Sequence, residues 1–126
     1  MRDPAKLEVM AEAEELAVEV YSATKDFPTA ERFGLTAQLR RASISVGSNI
    51  IEGCHRQGDR AFVAFLYQAL GSAAEVEFQL RVSKRLSFGK SGEVEAARDH
   101  ADHVKRKLIR LITSIRSRGG ESTDER

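Results

Sequence analysis

Tryptophan is absent from this chain, cysteine occurs once and proline twice. No apolar run approaches the ~20 residues that cross a bilayer. Each shortage excludes something. A lone Cys54 cannot form an intramolecular disulfide, and a reducing cytoplasm is its natural setting. Pro4 and Pro28 both sit where a helix begins or a loop runs, so the rest of the chain is free of helix breakers. Only two tyrosines, Tyr21 and Tyr67, are present, and Phe62, Phe65 and Phe78 fall at core spacing, so no stacking platform for single-stranded bases is visible. The first sixteen residues are acidic and amphipathic, so no secretory leader is expected.

What is present is a 126-residue chain with 41% apolar and 31% charged residues, the range of one soluble globular domain. Net charge is +1, unevenly spread. Residues 1–31 hold eight acids against three bases, and residues 32–118 hold sixteen bases against eight acids. This asymmetry allows a basic face for an anionic partner. The preferred reading is an acidic helix docked on basic ones, within a subunit or between subunits.

Helical periodicity runs through four segments, and strand alternation is nowhere evident. From Lys6 to Lys25 the stripe is read as Leu7, Met10, Glu14, Ala17, Val20 and Tyr21, with Leu16. "DFPTAERFG" breaks it, and Phe27 and Phe33 are expected to fold onto the core. The second helix, Leu35 to Gly53, has one face of Leu35, Leu39, Ala42, Val46, Ile50 and Gly53. A further set, Ala37, Ile44, Ser48 and Ile51, is also mostly apolar or small. Two such faces predict burial on two sides and hence an oligomer. Ile44 and Ile51 bare to water in a lone protomer would refute this.

Asp59 is expected to cap the third helix, which carries Phe62, Phe65, Leu66, Ala69, Leu70, Ala73, Val76 and Leu80. Gly71 in its middle suggests a close helix contact, since glycine there costs ~1 kcal/mol relative to alanine. The fourth helix repeats Val94, Ala97, Ala101, Val104, Leu108, Leu111 and Ile115 at spacings of three and four. Residues 119–126 are expected to form a disordered tail, leaving 1–118 as a single domain. Short connections make neighbours antiparallel, so the expected fold is an all-α, up-and-down four-helix bundle.

The stretches "FPTAERFGLTAQLRRASISVGSNIIEG" and "AFVAFLYQALGSAAEVEFQL" resemble the 23S rRNA-intervening sequence protein family. The likeness rests on Phe27, Pro28, Glu31, Gly34, Leu35, Gln38 to Ala42, Ser48 to Gly53, Phe65, Leu66, Ala69 to Ser72, and Glu75 to Glu77. Ile51 stands where the family has alanine, and Val76 where it has leucine. The resemblance covers about residues 5–117. It implies small helical proteins, some encoded within 23S rRNA gene insertions, that assemble as pentameric rings. It also implies kinship with accessory factors of retroelements that present a basic surface to nucleic acid. It carries over no catalytic residue and no cofactor.

Several clusters are candidates for function. Arg40, Arg41, Arg56 and Arg60 could bind phosphates of RNA or DNA, as could Lys105, Arg106 and Arg110 on the last helix. The preferred alternative is ion pairing with Glu52, Glu75, Glu77 or the acidic first helix. Ile44, Gly47, Ser48, Ile51 and Gly71 read as helix or subunit packing. Asn49, Glu52 and Glu75 read as a structural polar network rather than an active site. "DHADH", with His100 and His103, has spacing that could ligate a metal, but both histidines lie off the core stripe and read as a solvated face. No phosphate loop, zinc spacing or nucleophile elbow occurs, and no small-molecule substrate is evident. The expectation is a non-enzymatic, homo-oligomeric protein without metal, a candidate binder of nucleic acid; the rivals are, first, a protein-interaction scaffold and, second, a metal-dependent enzyme.

Overall fold

The computed structural model describes residues 2–123, with side chains through Arg118. After a short 3-10 turn at Pro4–Lys6, four helices follow: α1 Glu8–Thr24, α2 Leu35–Cys54, α3 Asp59–Arg85 and α4 Ser91–Thr123. No strand occurs among the described residues. α4 runs beyond Arg118, so residues 119–123, expected in the tail, continue the helical backbone. Residues 124–126 of that expected tail lie outside the described residues.

Side-chain partners establish the direction of every helix pair. Arg40 reaches Thr24 while Gly47 faces Met10, so α1 and α2 run oppositely. Ser45 meets Ser72 and Gln38 meets Gln79, which makes α2 and α3 antiparallel. Glu77 pairs with Lys105 and Lys84 with Glu95 across α3 and α4. Glu8 pairs with Lys107 and Glu19 with His100 across α1 and α4. Each helix packs its backbone on its two neighbours in the ring α1–α2–α3–α4, and among the described residues the backbones of diagonal pairs stay apart. This is an antiparallel up-and-down bundle.

The core is a continuous column in which bulky residues (Leu16, Leu39, Ile50, Phe62, Leu66, Leu80, Leu108) alternate with alanines 13, 23, 42, 69, 73, 97 and 101. Each large side chain withdrawn from water contributes about 1.5–3 kcal/mol. The small alanine side chains let the backbones approach closely between the bulky layers. The stripes read for α2, α3 and α4 point inward, with Leu35, Leu70 and Leu111 at their half-buried margins.

α1 differs from its reading. Its buried face is Val9, Ala13, Leu16, Val20 and Ala23, while Glu14 and Tyr21 are exposed. Two overlapping apolar stripes lie on this helix, and the alanine-rich one turns toward the neighbouring α2 and α4. The expected second buried side of α2 is open: Ile44 is 49% and Ile51 42% exposed, and Ser48 is exposed. Two-sided burial is therefore not a property of the chain by itself, and self-assembly does not follow from it.

Smaller corrections share one cause, that only a residue's neighbours decide its burial. Phe27 is buried against Phe88, their ring centres 5.7 Å apart, but Phe33 is 85% exposed. Phe78 is exposed too, despite its spacing. Gly71 is exposed, and a Cβ built on it would meet nothing within 4 Å, so it marks no close approach. Asp59 is the first residue of α3 rather than its cap; Gly58, with φ +82°, holds the cap position. The Asp59 carboxylate accepts instead from Arg2, tying the N-terminal segment to α3.

Candidate functional site

The α2 motif residues build joints between helices. In the turn before α2, Glu31 Oε1 accepts from the Leu35 N–H at 3.1 Å and so caps the first turn. Gly34 leaves room for that carboxylate, because a Cβ there would sit 2.9 Å from Glu31 Oε1. Arg40 Nε donates to Thr24 Oγ1 at 2.9 Å, and its guanidinium lies 4.7 Å from the centre of the Tyr21 ring. Ser72 Oγ donates to Ser45 Oγ at 2.9 Å, and Asn49 Nδ2 donates to the Ser45 carbonyl and hydroxyl. Gln79 Nε2 donates to Gln38 Oε1 at 3.4 Å.

The polar network therefore exists with different members. Asn49 belongs to it, with Ser45 and Ser72. Glu52 does not: it is exposed and pairs with Arg56 one turn on, at 2.7 Å. Glu75 is exposed and makes no ion pair among the described residues. The pairing of Ser45 with Ser72 was the missed signal, since two serines facing across a helix pair satisfy each other without bulk. Gly47 does mark a close approach, with Met10 Cε 3.1 Å from the position a Cβ would take.

Four of the seven candidate phosphate-binding bases are already committed to partners within the protomer. Arg40 is committed to Thr24 and Tyr21, and Arg56 to Glu52, with its guanidinium 5.2 Å from the Phe65 ring centre. Lys105 pairs with Glu77 at 2.5 Å, and Arg106 with Asp102. Arg41, Arg60 and Arg110 make no ion pair among the described residues. Arg41 lies on α2, Arg60 on the first turn of α3, and Arg110 beside an open groove that it lines with Lys6 and Lys107.

"DHADH" is less solvated than its sequence suggests. His100 is only 15% exposed and sits on α4 between two carboxylates of α1. Its Nε2 lies 2.7 Å from Glu12 Oε1 and its Nδ1 2.9 Å from Glu19 Oε1. His103 Nε2 is 3.5 Å from Glu12 Oε2. Burial opposes the charge on His100, but hydrogen bonds to Glu12 and Glu19 and their negative charges together outweigh it, raising its pKa above the ordinary histidine value. The hydrogen bond from His100 holds Glu12 below the usual carboxylate range. No group of three or more His, Cys, Asp or Glu is arranged to hold a metal among the described residues. Sequence reasoning missed this cluster because its partners lie some eighty residues apart in the chain.

Cys54 is fully buried in the core, and burial pushes its thiol above the ordinary value, which suits packing and not nucleophilic attack. Among the described residues no helix is long and apolar enough to cross a membrane.

Relatives share this architecture. A crystal structure of a protein with unknown function from the S23 ribosomal protein family of Bacteroides thetaiotaomicron superposes with a TM-score of 0.75 at 25% identity, covering 83% of this chain and 95% of that one. No curated protein matches. The family model described as 23S rRNA-intervening sequence protein matches residues 5–110. That span contains the Glu31 cap, the Gln38–Gln79 and Ser45–Ser72 joints and the Gly47 contact; with its motif residues accounted for as the fastenings of a four-helix bundle, the chain belongs to the 23S rRNA-intervening sequence protein family.

Proposed function

We propose that this protein acts by association and not by chemistry, with the outer groove between α1 and α2 receiving a second copy of the chain. Two-sided burial within the protomer is refuted and no longer supports it. The observation that carries this reading is a different one, that the exposed Ile44 and Ile51 are apolar surface which a second copy would cover. The contacts of Arg40 with Tyr21 and of Gly47 with Met10 set the register of that groove. Ile44 falls between those contacts and Ile51 one turn beyond. Tyr21, Ala17 and Met10 of α1 border the same groove, giving a band of apolar side chains that the protomer leaves half-covered. Charges around it are complementary: Glu14 and Glu15 on α1 and Arg41 on α2 are exposed and make no ion pair among the described residues. The acidic first helix of one copy thus suits the basic second helix of another. By resemblance the assembly is a pentamer, and a cytoplasmic setting suits the single buried thiol.

Light scattering of the purified chain tests this. A closed oligomer is expected, five copies by resemblance, converted to monomer by Ile44→Glu with Ile51→Glu. Both side chains are exposed in the protomer, so circular dichroism of that variant should stay helical. A wild-type monomer would overturn the reading.

A nucleic-acid role has narrower support, the exposed Arg41, Arg60 and Arg110. Phosphate contacts made by them would show as a low-salt mobility shift of labelled RNA or duplex DNA that weakens steeply as salt rises. Loss of that shift in the triple glutamine variant would assign it to these residues. No shift at low salt leaves the scaffold reading.

A further inference from the structure

His100 spans two helical turns of α1, with a carboxylate on each of its ring nitrogens, at 2.7 and 2.9 Å. A neutral imidazole has one N–H and one bare lone pair, and a lone pair facing a carboxylate has no proton to share. Only the imidazolium donates at both nitrogens. The ring is mostly covered and its two partners are on another helix, so its charge state bears on how α1 is held. We propose that protonated His100 is a latch fastening α1 to α4, which makes the docking of α1 sensitive to protons.

The charged groups facing His100 are few. From α1 they are Glu12 and Glu19; from α4 itself, His103 shares Glu12. Asp99, beside it on α4, is exposed. α3, the other helix packed on α4, turns Glu77 and Lys84 to Lys105 and Glu95 instead. Further along the seam Glu8 is taken by Lys107. Deprotonation of His100 therefore leaves one partly buried carboxylate facing a lone pair; His103, 3.5 Å away, is the other base beside Glu12, and Glu19 has no second ion-pair partner among the described residues.

The direction of the effect follows from linkage. A histidine whose pKa in the folded chain exceeds its unfolded value, about 6.5, stabilises the fold below that value. The contribution disappears as pH rises through the folded pKa. α1 is latched while His100 is protonated and its carboxylates are ionised, and is loosened as pH rises through the raised His100 pKa.

Nitrogen-15 NMR of the full chain reads this directly. Both His100 ring nitrogens should be protonated at about pH 6, with a titration midpoint above that of free histidine. Glu12→Gln and Glu19→Gln should each lower the midpoint. The urea midpoint of the wild type should exceed that of His100→Gln at about pH 6, and the difference should vanish by about pH 9. A bare ring nitrogen at the lower pH, a midpoint at or below that of free histidine, or a stability difference independent of pH would overturn the latch. If His100→Gln does not fold, the two glutamine-for-glutamate midpoints decide it.

Discussion

Gly53 of α2 and Phe65 of α3 stand so close that a methyl group on the glycine would lie 2.9 Å from the Phe65 Cβ. Phe62 Cδ1 would be 3.0 Å away and the Phe62 carbonyl 3.3 Å. A Cβ and a backbone oxygen cannot swing aside as the end of a flexible chain can, so the helices themselves would have to part. Gly53→Ala should destabilise the fold by about 1–3 kcal/mol, read as a lower urea midpoint, despite alanine's better helix propensity. An unchanged or raised midpoint would show that α2 and α3 are not held this tightly.

Gly47 is a gentler case. The atom nearest its would-be Cβ is the terminal methyl of Met10, at 3.1 Å, which can rotate away. Gly47→Ala should fall within about 1 kcal/mol of wild type, because methionine displacement and helix propensity oppose each other. Gly47→Leu would push into Ala13 as well, whose Cβ is 3.9 Å from the same point, and should cost about 1–3 kcal/mol. Thermal unfolding of the pair separates flexible from rigid neighbours.

Gly71 has open space around it, so the propensity gain is unopposed. Gly71→Ala should stabilise α3 by about 0.5–1 kcal/mol. A loss of oligomer in that variant, with the protomer still folded, would place the bare face of α3 in an interface and count against the α1/α2 groove.

Glu12 sets an acid limit on the α1–α4 seam. Its pKa is lowered by the His100 hydrogen bond, so its stabilising contribution is complete above the unfolded carboxylate value, about 4.3. It is lost as pH falls through the lower folded value. Glu12→Gln should therefore reduce stability near neutrality and match wild type in strong acid, as denaturant midpoints across the acid range would reveal. The seam is then tightest between the titration of Glu12 and that of His100.

Much of the bundle was legible in sequence because helical periodicity is local. Val94, Ala97, Ala101, Val104 and Leu108 repeat so regularly that their burial needed no knowledge of a partner. α1 was read one stripe off because Met10, Ala17 and Tyr21 are as apolar as Val9, Ala13 and Ala23. Only the shape of the opposing surface chooses between such stripes. The polar joints were legible only in part: Asn49 and the small residues of α2 stand out in sequence, whereas the pairing of Ser45 with Ser72 shows only once the two helices are face to face. His100 looked like a solvated histidine on α4 because Glu12 and Glu19 belong to a helix at the other end of the chain.

The sequence by itself determined the helical class, the number of helices, most of the inward faces and the family, since each depends on spacing within a segment or on residues read in order. The tertiary structure alone decided which charges neutralise one another, which apolar stripe of α1 turned inward and which residues of α2 remained open. Those outcomes depend on contacts between segments distant in the chain. Their energies come from desolvation and pairing across a helix interface, and no local pattern encodes the identity of the neighbour.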